Sequence, residues 1–285
     1  QSQNDFVREW LPWRAEYLNV ILEGEQLGIC EQCCEAEGSV WCMSCTGVHA
    51  WCGPCAVRAH RNLPFHKVQR WNGTHYEPTS LMELGFLWHI GHGGDPCPHN
   101  WSDPDPDESG YMTVEEPPNH RSRHSDDLAI RRSSWFQMTI VHTEGIFSHE
   151  VSMCNCPGSD SSDWHLDLLR QRLLPASISK PKTAFTFDVL DYFLIDAPEC
   201  KTSAMSFYQQ LRRFTNNAFP ERIPDRYREL MRVSQLWRDL KHRKWFGFGH
   251  DMDQDPGDGG LALFCPACPQ PGINLPADWK VQYDR

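Results

Sequence analysis

Apolar residues recur along this chain with different periods, and the changes of period divide it. At residues 12–23 Trp13, Tyr17, Val20 and Ile21 fall at helical spacing, with Pro12 suited to a first turn and Gly24 to a stop. An amphipathic helix is expected there, its aromatic face laid on the segment that follows. Residues 28–77 sustain no period, apart from Val68-Gln69-Arg70-Trp71, a short strand reversed at Asn72-Gly73. Leu81, Leu84, Phe86 and Leu87 are close enough to pack locally, whereas Asp103 to Pro118 is too polar and Pro-rich to build a core. From Trp135 the pattern alternates. Phe136, Met138, Ile140 and His142 share one face, Glu144-Gly145 interrupts, and Phe147, His149, Val151 and Met153 resume, which predicts a hairpin.

Helical periods follow. Trp164 to Leu174 reads as one helix closed by Pro175. Thr183 is expected to cap a second, whose Ala184, Phe185, Phe187, Val189, Leu190, Phe193 and Leu194 are apolar nearly all round and would make it central. Met205, Tyr208, Leu211 and Phe214 mark a third. A fourth starts at Asp225 and is expected to bury Tyr227, Leu230, Met231, Trp237 and Leu240, with Gly247 to Gly260 a loop after it. The fold class is therefore α+β, in four parts: a helix (1–27), a compact module (28–77), an acidic Pro-rich insertion or linker (78–133), and a hairpin plus helical bundle (134–285).

The 285 residues suffice for one large or two modest domains, and 40% hydrophobic content with 12 Trp allows a real core. A formal charge of −11 excludes a surface that coats nucleic acid as a whole. No apolar run is long enough to cross a bilayer. Without a signal peptide, and with thiols expected to be unmodified, a nuclear or cytoplasmic rather than secreted location is expected.

Cysteine and histidine spacing changes the picture most. Eight ligands come in four ordered pairs: Cys30/Cys33, Cys42/Cys45, Cys52/Cys55 and His60/His66. Each Cys-x-x-Cys lets two thiolates from one turn reach one tetrahedral ion, so the set fits two zinc sites with none left over. Crosswise pairing puts Cys30, Cys33, Cys52 and Cys55 on one ion and Cys42, Cys45, His60 and His66 on the other. Cys34 is free to replace Cys33. A disulfide framework competes, but the total of 13 Cys is odd and His partners are metal chemistry. The spacing resembles a B-box-type zinc finger. Farther on, Cys154-x-Cys156 and Cys265-x-x-Cys268 make a third tetrahedral set if the hairpin end meets the C-terminal turn; two separate pairs of buried apolar cysteines are the alternative. Cys97, near His92 and His99, is a further ligand candidate. Cys200 reads as an ordinary thiol. Three structural zinc ions are expected, each contributing about 10–16 kcal/mol to folding.

The run from Pro181 to Asp191, Pro224-Asp225-Arg226-Tyr227, Trp237 to Lys241, Gly249-His250-Asp251 and above all Leu263 to Pro276 resemble the CxC-type cysteine-cluster domain found with KDZ (Kyakuja-Dileera-Zisupton) transposases of fungi, in which Cys154-x-Cys156 would be the namesake pair. The resemblance implies a position upstream of an RNase H-like catalytic core that cuts and joins DNA with acidic residues and divalent metal. Arg285 falls where that core would begin, so no transposase catalysis is expected of this chain.

The remaining chemistry is sparse. Asp188 and Asp191 share a helix face but are explained by capping or a surface edge. Asp251-x-Asp253-x-Asp255 opens like a calcium loop, yet Pro256 occupies the glycine position and Ala262 that of the closing glutamate. There is no P-loop. From Lys201 to Trp245, eleven Lys and Arg face only Glu221, Asp225, Glu229 and Asp239. Arg226, Arg228, Arg232, Arg238, Lys241, Arg243 and Lys244, on or beside the fourth helix, are the candidate DNA-phosphate contacts. The same cations could instead pair with the acidic segments. The expected function is a non-catalytic, zinc-binding module of a KDZ-type transposase that recognises element DNA or organises the assembly, with the catalytic domain or a second copy as further partners. The alternative is a B-box-like protein-interaction or self-association module that never touches DNA. No small-molecule substrate and no membrane is expected.

Overall fold

The computed structural model describes residues 3–23, 28–100, 135–158 and 163–249, with scattered positions between 256 and 278. The acidic run from Asp103 to Pro118 and the Asp251, Asp253 and Asp255 run lie outside the described residues. The chain divides into two compact units, Gln1–Leu230 and Met231–Arg285.

Helices α1 (Gln3–Trp10) and α2 (Arg14–Glu23) are joined by a 3-10 turn at Leu11–Trp13. Pro12 has no N–H to donate, so one bond of the ladder is lost and the turn tightens. Trp10 and Arg14 keep right-handed helical dihedrals on either side, and the helix runs on. No described residue of it is buried: Phe6, Trp13 and Ile21 are 64%, 57% and 65% exposed. The expected docking of this face on the following module is not seen. That module fills its interior with its own Val40, Trp51, Ala56 and Val68, six of its cysteine ligands packing with them, and with Leu81 and Phe86.

The module opens with the antiparallel pair β1 (Gly28–Ile29) and β2 (Glu37–Gly38). β3 (Val40–Cys42), β4 (Val68–Trp71) and β5 (Tyr76–Thr79) then form a three-stranded antiparallel sheet, with α3 (Gly53–Ala59) between β3 and β4 in sequence. The reversal after Trp71 occurs as the sequence predicts: Asn72 Oδ1 accepts the N–H groups of Thr74 and His75, both at 3.0 Å, and Gly73 takes φ +103°. Residues 80–100, which composition assigns to the insertion, belong instead to the folded body. Leu81, Phe86, Ile90 and Cys97 are buried, and β6 (Leu87–His89) enters the larger sheet.

That sheet contains β6, β7 (Trp135–His142), β8 (Gly145–Ser152), β9 (Leu173–Pro175) and β10 (Thr183–Thr186), in the order β6-β8-β7-β10-β9. The predicted hairpin is present, with Met138 opposite His149 and Ile140 opposite Phe147. It is flanked by two strands parallel to its own, β6 beside β8 and β10 beside β7. On one face Met138, Ile140, Val151, Met153 and Ala184 pack with Ile90, Leu168 and Leu173. Residues of the opposite face, Val141, Ile146 and Phe185, are also buried.

Three helical expectations are corrected. Helix α4 (Trp164–Arg170) stops short of Leu174, because Arg172 turns left-handed at φ +60° and sends Leu173 and Leu174 into β9. Thr183 does not cap a helix. Thr183–Thr186 is a strand buried along its length, and an apolar run buried on both faces does not declare its period. The cap falls to Thr186, whose hydroxyl accepts from Val189 N at 3.3 Å and starts α5 (Phe187–Glu199). This helix is not central: Val189 and Leu190 are buried, but Tyr192 and Ile195 are 49% and 63% exposed. In α6 (Ala204–Thr215), packed beside β8, the buried stripe is Phe207, Tyr208 and Leu211, with Met205 and Phe214 exposed. In α7 (Tyr227–Trp245) it is Leu230, Val233, Ser234 and Trp237, and Leu240 is exposed. No helix among the described residues is long and apolar enough to cross a membrane.

Candidate metal centres

Three groups of Cys and His side chains bring their donor atoms within 4.8 Å of one another: Cys30, Cys33, Cys52 and Cys55; Cys42, Cys45, His60 and His66; and His92, Cys97, Cys154 and Cys156. A tetrahedral zinc ion with ordinary bond lengths sets its ligands about 3.8 Å apart for two sulfurs and about 3.6 Å for sulfur and nitrogen. The observed separations match. Cys33 and Cys52 sulfurs are 3.9 Å apart in the first group. In the second, Cys45 Sγ lies 3.5 Å from His60 Nε2, and His66 Nδ1 lies 3.5 and 3.4 Å from Cys42 and Cys45. The donor sets and spacing fit a divalent ion such as zinc.

Local structure explains why each donor points inward. After Cys33 the chain turns left-handed at Cys34 (φ +57°), closed by Cys34 N–H on the Cys30 carbonyl at 2.8 Å. Cys33 thereby joins the group while Cys34 stays exposed, which removes Cys34 as its substitute. Cys52 stands at the N-terminal cap of α3 and Cys55 in its first turn, where Arg58 donates to Cys55 Sγ at 3.1 Å. His60 closes the same helix. Its Nδ1 donates to the Ala56 carbonyl at 2.7 Å, so the Nε2 lone pair is the one presented to the sulfurs. Ser44 N–H points at Cys42 Sγ from 3.4 Å.

The electrostatics are those of thiols that need a cation. The Cys33 N–H group holds the Cys30 thiol down at about 6. Cys45 is pushed up to about 11 by burial and by Cys42 beside it. One thiolate therefore opposes the next, and only a bound cation lets all ionise together.

The third group differs from expectation in its membership. Cys154 and Cys156 are completed by His92 and Cys97, while Cys265 and Cys268 are exposed in the second unit and enter no group of three or more among the described residues. The cause is topological. β6 and β8 are parallel, so the residues after His89 and after Ser152 leave the sheet at the same edge. Ile90 N–H donates to the Ser152 carbonyl at 2.8 Å, and Asn100 Nδ2 to the Met153 carbonyl at 2.9 Å. Gly91, at φ +100°, passes where a Cβ would lie 3.4 Å from that of Cys154. Cys97 Sγ stands 3.9 and 3.7 Å from Cys154 and Cys156, and His92 Nε2 lies 3.4 Å from Cys156. His99 Nδ1, 3.5 Å from Cys156 Sγ, is a fifth donor at the rim. Burial works against ionising Cys97, but N–H groups of Asn155 and His99 outweigh it and bring it down to about 6. Cys156 is pushed up to about 11, first by Cys154. The sequence signal for these ligands was His92 and His99 flanking Cys97 in a Gly/Pro-rich turn.

Cys265 and Cys268 do form a tight turn, Cys268 N–H meeting the Cys265 carbonyl at 3.1 Å. Cys200 is exposed. Asp188 sits in the first turn of α5 and pairs with Arg172 at 3.1 Å, a helix-end role.

The candidate DNA contacts do not make one line. Arg228 and Arg232, four apart on α7, are exposed on the side away from its buried stripe; Arg243 lies in the same sector and pairs with Asp239 at 3.1 Å. Arg238 stands to one side. Lys241 lies between Trp237 and Trp245, 5.4 and 5.3 Å from their rings. Lys244 is exposed near the helix end, and Arg226, just before the helix, is half-buried.

Residues 120–219 match the family model described as "CxC2 like cysteine cluster associated with KDZ transposases". The matched stretch contains Cys154, Cys156 and the run from Pro181 to Asp191; the other motifs on which the sequence resemblance rests, between Pro224 and Pro276, lie beyond it. It excludes the first two metal groups and Cys265 and Cys268. Neither curated proteins nor solved structures gave a match.

Proposed function

We propose that this chain, carrying the CxC2-like cluster of KDZ transposases, is a zinc-stapled, non-catalytic module that holds element DNA for the transposase. Four protein donors at each of the three candidate sites would leave a tetrahedral ion no open position for a reacting water, so the metals would shape the fold and not act on substrate. The observation that carries the DNA reading is charge segregation. The chain as a whole is at −11, yet Lys201 to Trp245 holds eleven cations against four acids. Arg228, Arg232 and Arg243 are the leading phosphate contacts, with Arg226, Arg238, Lys241 and Lys244 flanking them.

The test is titration of the zinc-loaded chain with labelled duplex DNA at low and moderate salt. Three phosphate contacts predict a loss of affinity of about 40-fold when salt rises fourfold. Changing Arg228, Arg232 and Arg243 together to Gln should weaken binding and flatten that dependence. Absence of binding at the lower salt would remove DNA from the account.

A further inference from the structure

The N-terminal helix presents more apolar surface than a lone helix keeps in water. Ten large apolar side chains between Phe6 and Leu22 are exposed, on the order of 1,000 Å² together. The largest apolar patch of an ordinary monomer is about 300–600 Å², and one side of a standard interface is about 800 Å². Seven of the ten, all but Leu11, Leu18 and Leu22, lie on one side of the helix and offer on the order of 700 Å², close to half a dimer contact.

The pattern says what would cover it. Phe6, Trp10, Trp13, Tyr17 and Val20 follow at alternating intervals of four and three, the seam of a coiled coil. The Trp10 and Tyr17 rings lie 6.3 Å apart, so residues seven apart keep one face through the tight turn at Pro12. Beside the seam, one flank carries Glu9, Glu16 and Glu23, the other Val7, Arg14 and Ile21. In a parallel pair Glu9 faces Arg14 of the second copy, five positions on. An antiparallel pair would set the glutamate row against itself. Four acids against two arginines make the polar face unfavourable for an anionic lipid surface.

We propose that residues 3–23 pair in parallel with the same helix of a second copy of this chain. This does not depend on the DNA reading. Sedimentation velocity of the zinc-loaded chain between about 1 and 100 μM should show a dimer, lost in Trp13→Glu. Because Trp13 is exposed, metal content and melting of the remaining body should not change in that variant. Glu9→Arg and Arg14→Glu should each weaken the dimer at least about tenfold, and the double exchange should recover it. A monomer at the highest concentration, a dimer indifferent to Trp13→Glu, or a double exchange no better than the singles would overturn the proposal. So would sedimentation of the unmodified chain with anionic vesicles in place of self-association.

Discussion

His92 Nε2 lies 3.2 Å from Cys154 Sγ although 62 residues separate the two in sequence. The pairing makes the third candidate metal centre a joint between the segment after β6 and the end of the hairpin. Cys97→Ser should therefore lower the zinc content from three ions per chain to two by elemental analysis, and the melting midpoint by about 10 °C. Cys265→Ser together with Cys268→Ser should leave three. The opposite result would return the C-terminal pair to this centre.

Chelation should act unevenly. Cys30, Cys42, Cys55 and His60 are themselves part of what is buried in residues 28–77, so that module has little apolar interior left without its ions. Treatment with a strong chelator should abolish its tertiary signals, read by near-UV circular dichroism at Trp41 and Trp51, and zinc should restore them. The five-stranded sheet, with Met138, Ile140 and Val151 fully buried, should keep part of its far-UV signal. Retention of the Trp41 and Trp51 signals without metal would refute the dependence.

Acid should destabilise the fold through His149 as well as through metal loss. Its ring is 1% exposed among Phe65, Phe86, Trp88 and Phe147. Burial pushes its pKa down to about 4, the Pro64 carbonyl acting in the opposite sense. His142, on the same face, is also lowered by burial, against Asp188 and Glu144. Lys67, Glu144 and His66 line the cavity that His149 borders. Below pH 6.5 the unfolded chain takes up a proton that the folded one refuses until about pH 4. Stability is thus unaffected above 6.5 and falls as pH drops through this window, by up to about 3 kcal/mol. Denaturant midpoints at pH 7.0 and 5.5 should differ less in His149→Phe than in the unmodified chain.

Gly145 begins β8 at φ +138°, and a Cβ there would meet Thr215 Oγ1 at 2.7 Å. That hydroxyl accepts from Ile146 N at 2.7 Å and donates to the Leu211 carbonyl at 2.8 Å, tying strand to helix. Gly145→Ala should cost about 2–3 kcal/mol, from steric conflict and backbone strain together. Thr215→Val, which leaves the Ile146 N–H without this acceptor, should cost about 1–2 kcal/mol in urea unfolding.

The sequence made the first two metal groups legible because all eight ligands lie within one short stretch and their spacing constrains the pairing. The hairpin was legible because its register repeats every second residue from Phe136 to Met153. The third group was legible only by half. Nothing local to Cys154 indicates that β6 runs parallel to β8, and parallel pairing is a long-range choice. The same limit hid β10, since Ala184-Phe185 is apolar in any period until neighbours on both faces decide it. Arg172 was unreadable for another reason: a non-glycine residue in a left-handed turn leaves no mark in the hydrophobic pattern.

The parallel pairing of β6 with β8 also fixes a schedule. During synthesis the first two centres have all their ligands once His66 has emerged, but the third waits for Cys156, about ninety residues later. At ordinary elongation rates that is roughly 5–20 seconds. For the last 59 residues of that interval Cys97 is a thiol still waiting for its cysteine partners.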